Sequence, residues 1–173
     1  MITEQEYLNA EDQYINLTEQ ELGKLAREAA EAQPALFVFI ATYYELLEEE
    51  ENKHFFVQMV YSTWIAYINK YELKRKLSIE EIERMEEKEE KRLNEIHNNE
   101  DEIIDEALKR MTAHPQSELI GYLYTQIGDY FGMEELDDDN ADDPAYQDAG
   151  LISGVISTYI NLLEKTRQVL YTT

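Results

Sequence analysis

From Phe55 to Asn69 the chain carries no charged residue, and its apolar side chains recur at spacings of three and four. Val57, Val60, Tyr61, Trp64, Ile65, Ile68 and Tyr71 therefore share one broad face of a helix over about 54–72. A face that wide belongs to an element packed on several neighbours, so the rest of the chain has to supply them. A second uncharged run, Ala149 to Leu163, contains a partial copy of the first. Val60-Tyr61-Ser62-Thr63-Trp64-Ile65 is echoed by Val155-Ile156-Ser157-Thr158-Tyr159-Ile160.

Only three Pro and six Gly interrupt 173 residues, and no sustained apolar–polar alternation marks a strand. The expected fold is a compact all-α bundle of seven or eight helices, a single domain over 1–173. Thr3 with Glu6, Thr18 with Glu21 and Ser78 with Glu81 each fit the capping box. They predict helices near 4–15, near 19–32 and from 78 onward. Pro34 suits the first turn of a helix of about 35–50, with Leu36, Phe39, Ile40, Tyr43 and Leu47 inward and Glu48–Glu51 at its end. Residues 78–97 are rich in charge and poor in apolar side chains, so that helix shows most of its surface to water. Further helices are expected at about 100–112, 116–131 (Leu119, Ile120, Leu123, Ile127 and Tyr130 inward) and 147–170.

A helix–Pro–helix–loop–helix order occurs around both uncharged runs, with Pro34 and Pro115 in matching places. Two related units, 19–72 and 100–170, joined by the charged helix 78–97, are the expectation this raises. Amphipathic helices also resemble one another by composition alone.

Thirty-eight acidic residues face fifteen basic ones, a formal net charge of −23. Nucleic acid and anionic membrane surfaces both require cationic side chains, so neither is an expected partner. A basic protein partner is compatible with the charge. The absence of Cys excludes disulfides, thiolate catalysis and Cys-held metals. The uncharged runs are shorter than the roughly 20 residues of a membrane span. The first residues lack a basic stretch followed by an apolar one, so a cytoplasmic protein is the expectation.

Motifs for chemistry are sparse. Glu51 and His54 have the Glu-x-x-His spacing that places a carboxylate and an imidazole on one helix face in di-iron bundles. Such a centre needs a second copy, and neither His97 nor His114 follows a Glu by three residues. A surface His at a helix start is the simpler reading. Asp137, Asp138, Asp139, Asp142 and Asp143 form an acidic stretch, but Asp143 stands where a calcium loop needs Gly, and Ala149 where it needs Glu. A solvated loop that meets a partner is expected there, and no cofactor is. Gly128 with Gly132 and Gly150 with Gly154 raise the question of close helix approach, within the chain or in a homo-oligomer. Helix capping by Gly132 and a frayed first turn at Gly150 are the simpler reading of those two. Ser62, Thr63, Ser157 and Thr158 lie in apolar helices, where hydroxyls bond back to a carbonyl one turn earlier. No nucleophile elbow or phosphate-binding loop is present. The function expected is a non-enzymatic acidic interaction module, a regulator or inhibitor of a basic protein; a helical-bundle metalloprotein built on Glu51, His54 and other carboxylates is the alternative.

Overall fold

The computed structural model describes residues 1–96, 112–132 and 144–167. Seven helices account for most of them: α1 Glu4–Ile15, α2 Glu19–Ala32, α3 Pro34–Tyr44, α4 Glu50–Lys70, α5 Ile79–Ile96, α6 Ser117–Phe131 and α7 Pro144–Thr166. Among the described residues there is no strand, and no helix is long and apolar enough to cross a membrane. The fold is an all-α bundle. The expected helix at about 100–112 and the Asp137–Asp143 stretch lie outside the described residues.

All three capping boxes form. Thr3 and Thr18 each accept from the backbone N–H three residues on, while Glu6 and Glu21 reach back to the Thr N–H at 2.8 Å. Ser78 and Glu81 exchange the same pair at 3.1 and 3.3 Å. Each box satisfies two N–H groups that a helix start leaves unpaired. Thr18→Ala is expected to cost about 1 kcal/mol, measured as a lower urea midpoint at unchanged slope.

The acidic run Glu48–Glu51 is placed differently from the sequence expectation. It does not close the third helix, which stops at Tyr44; Glu50 and Glu51 instead form the first turn of α4. Helix dipoles explain the choice, because carboxylates are favourable at the positive N-terminus and unfavourable at the C-terminus. The last helix also starts earlier than expected, with Pro144 in its first turn. There a missing N–H costs nothing.

The two uncharged segments form the centre. Trp64 is 3 % exposed and Tyr159 is 0 % exposed. Helix α1 lies along α4, α6 lies along α7, and α1 also touches α6. Helices α3 and α5 cover another side of α7, and α2 leans chiefly on α3. Two residues expected inward are not. Ile68 is 43 % exposed near the end of α4, and Tyr130 is 42 % exposed, with one ring face stacked 4.0 Å from Phe55. Gly132 caps α6 in the left-handed conformation, φ 62°, which only Gly adopts without cost. A Cβ added at Gly128, Gly150 or Gly154 would meet nothing within 4 Å, so these glycines do not serve close helix approach among the described residues.

Candidate functional site

Two acidic concentrations that are distant in sequence converge. The Tyr43 hydroxyl on α3 donates to Glu86 Oε1 on α5 at 2.8 Å. Two residues after Tyr43 begins the turn that carries Glu45, Glu48 and Glu49, all exposed, and leads into Glu50 and Glu51. On α5, Glu83 and Glu87 flank Glu86 and face solvent. One hydrogen bond thus joins the acidic side of α5 to the acidic α3–α4 turn.

The cations gather elsewhere. The segment between α4 and α5 crosses the C-terminal end of α7, where Lys74 N and Arg75 N donate to Thr166 O at 2.9 and 3.2 Å. Arg75 Nε donates to Lys165 O at 3.1 Å, and Arg75 pairs with Glu81 at 2.8 Å. These donors satisfy carbonyls that the end of a helix leaves open, and the positive charge suits the dipole there. Lys165 feels burial first, which lowers its pKa; Glu81 opposes that, and the like charges of Arg75, Lys88 and Arg84 add to it. Lys70, Lys74 and Arg167 line an adjoining cleft of about 360 Å³ with Tyr71, Glu72 and Glu164. Five basic residues, Lys70, Lys74, Arg75, Lys165 and Arg167, therefore sit around one helix end, with Arg84 and Lys88 of α5 near enough for their charge to act on Lys165.

The floor of that cleft is a half-buried polar network. Glu164 Oε1 accepts from Gln116 Nε2 at 2.6 Å, Tyr67 OH at 2.8 Å and Arg167 Nη1 at 2.7 Å. Burial raises the Glu164 pKa, but these hydrogen bonds and the Arg167 charge outweigh it, so the net shift is downward. The Arg167 guanidinium also stacks 3.5 Å from the Tyr71 ring centre. Gln116, fully buried, accepts from Ile2 N at 2.6 Å and so ties the chain start to α6 and α7. His114 Nδ1 accepts from Gln116 N, which leaves the proton on Nε2, 2.9 Å from Asn161 Oδ1. At the chain start, hydrogen bonds from Lys70, reinforced by Thr3, hold the Glu6 carboxyl down at about 2.

Among the described residues, no third side chain joins Glu51 and His54 to complete a metal centre. Helix α4 turns Asn52 inward, where its amide donates to buried Asp148 at 2.7 Å. Glu51 and His54, on either side of it, are exposed. Among the described residues no group of three or more His, Asp and Glu side chains is placed to hold a metal ion. Ser62 and Thr63 do not bond back to α4 as expected; neither hydroxyl has a hydrogen-bond partner, although Ser62 lies beside the Tyr7 hydroxyl. No protein family, curated protein or solved structure matches this chain.

Gln33 and Gln116 are the side chains that sequence reasoning passed over. Each is the buried residue before the first turn of a helix, next to a Pro on one side or the other. Gln33 donates to Arg75 O at 2.7 Å and accepts from Leu77 N at 3.0 Å. A Gln beside a Pro gives no signal of such a role, because its partners lie more than forty positions away.

Proposed function

We propose that this chain is a non-enzymatic acidic interaction module that binds a basic protein and so regulates or inhibits it. The observation that carries the reading is the Tyr43–Glu86 hydrogen bond, which merges the α3–α4 turn and the acidic side of α5 into one surface. Like charges set side by side repel, and a cationic partner relieves that repulsion. Lys53 pairs with Glu50 on this surface, and Glu45, Glu48 and Glu49 have no ion pair among the described residues. The Asp137–Asp143 stretch, outside the described residues, adds five further carboxylates as candidate contacts.

The test replaces exposed Glu48, Glu49, Glu83 and Glu87 by Gln. Proteins captured from native lysate at low salt are compared between the two forms, and association rates are followed against salt. A cationic partner whose on-rate falls steeply with salt, and drops about tenfold or more for the variant, is the expected result. An acidic partner, or an on-rate indifferent to salt and to the four substitutions, would overturn the reading.

A further inference from the structure

Helix α3 is apolar nearly all round, and only one side of it reaches the core. Leu36, Phe39 and Ile40 are buried, whereas Val38 is 61 % exposed and Ala41 is exposed too. Along its flank toward α4 runs a groove of about 180 Å³ lined by Phe37, Ile40, Ala41, Tyr44, Val57 and Tyr61. The groove is almost wholly apolar, with room for an aliphatic side chain or two.

Its two ends differ in chemistry. At one end Phe37 meets Tyr61, and Tyr61 stacks on Tyr14 of α1 at 6.1 Å with rings 5° from parallel. Rigid aromatic rings of this kind lose little side-chain entropy on contact and are favoured anchors at interfaces. At the other end Tyr44 lies at the start of the acidic turn. There the Lys53 ammonium sits 5.6 Å from the Tyr44 ring centre and 2.9 Å from Glu50, with Glu45 near enough to strengthen its hold on its proton. That end of the groove already stabilises one ammonium, by an aromatic face and two carboxylates together. Lys53 engages Tyr44 and Glu50, while Glu45 has no ion pair among the described residues and is what this end offers a visiting cation.

We infer that the groove between α3 and α4 receives a basic amphipathic helix of the partner protein, its apolar stripe in the groove and its cations toward Glu45, Glu49 and Glu50. An apolar slot with an acidic rim at one end selects a segment that carries both properties, because each alone satisfies only half of the surface. This inference rests on the proposed acidic interaction module and assigns it a contact surface.

The probe is a synthetic helical peptide with leucines along one stripe and lysines elsewhere. Its control carries serine in place of every leucine. Affinities of the full chain for both are measured by fluorescence anisotropy over a range of salt. The leucine peptide is expected to bind at least about tenfold tighter than the serine peptide. Ala41→Phe, which fills the groove from an exposed position, is expected to bring the two peptides level. Glu45→Gln with Glu50→Gln is expected to weaken both. Should Ala41→Phe fail to fold, judged by its circular dichroism, Val57→Ser takes its place.

If the two peptides bind equally, or Ala41→Phe changes nothing, the groove inference falls while salt-sensitive binding of both leaves the acidic module standing. If neither peptide binds even at low salt, both fall. Sedimentation of the chain alone covers another occupant: a dimer that Ala41→Phe abolishes would give the groove to a second copy and overturn the assignment to a basic partner.

Discussion

Trp64→Ala is expected to lower the unfolding free energy by about 3–5 kcal/mol, the range for deleting a buried aromatic side chain. Trp64 is 3 % exposed in α4, and Phe37 meets it edge-on at 5.4 Å between ring centres. Because α1, α3 and α7 all pack on α4, no single neighbour can move in to fill the space. The cost of the cavity then adds to the lost transfer energy. Urea denaturation at unchanged slope is the measurement, and a loss below about 1 kcal/mol would show that Trp64 is not part of the core.

Glu164→Ala is expected to cost about 1–3 kcal/mol, the range for leaving inward-facing donors without their acceptor. Tyr67 OH and the Arg167 guanidinium lose this acceptor at once, and Gln116 Nε2 keeps only the Tyr71 hydroxyl at 3.2 Å. Unsatisfied groups in the interior account for most of that cost. The same carboxylate carries a pH dependence. Its folded pKa lies below the ordinary value of 4.5, because hydrogen bonds to the ionised form outweigh burial. The stability it contributes is therefore complete above that value and is lost as pH falls through the lowered one. Glu164→Gln should flatten the acid limb of the stability curve, whereas a limb unchanged by the substitution would show that the carboxylate is not ionised in the network.

Much of the helical frame was legible because its signals are local. A Thr or Ser followed by Glu three residues later marks a helix start at Thr3, Thr18 and Ser78. The inward faces of α3 and, apart from Tyr130, of α6 followed from spacing alone. Glu48–Glu51 was misplaced although the deciding signal was present, since carboxylates favour a helix start over a helix end. The long-range polar contacts were not legible. Gln116 meets a backbone N–H 114 positions away, and nothing in its neighbourhood announces that. The groove was hidden for another reason. Spacing picked out one apolar side of α3, and Phe37, Ala41 and Tyr44 on its flank became a surface only once α4 stood beside them.

The segment joining α4 to α5 has no regular structure of its own, yet its amides are held by other parts of the chain. Lys74 N and Arg75 N are bonded to the last turn of α7, and Leu77 N to the Gln33 side chain at the α2–α3 junction. An exposed connection ordinarily exchanges its amide protons by fluctuating alone, at little free-energy cost. Here exchange at Lys74 and Arg75 requires the end of α7 to open, and exchange at Leu77 requires the α2–α3 junction to release Gln33. Protection in a stretch that is neither helix nor strand would thus report the cooperativity of helices distant in sequence. The connection behaves as a clasp whose opening sets the smallest unit in which those helix ends can come apart.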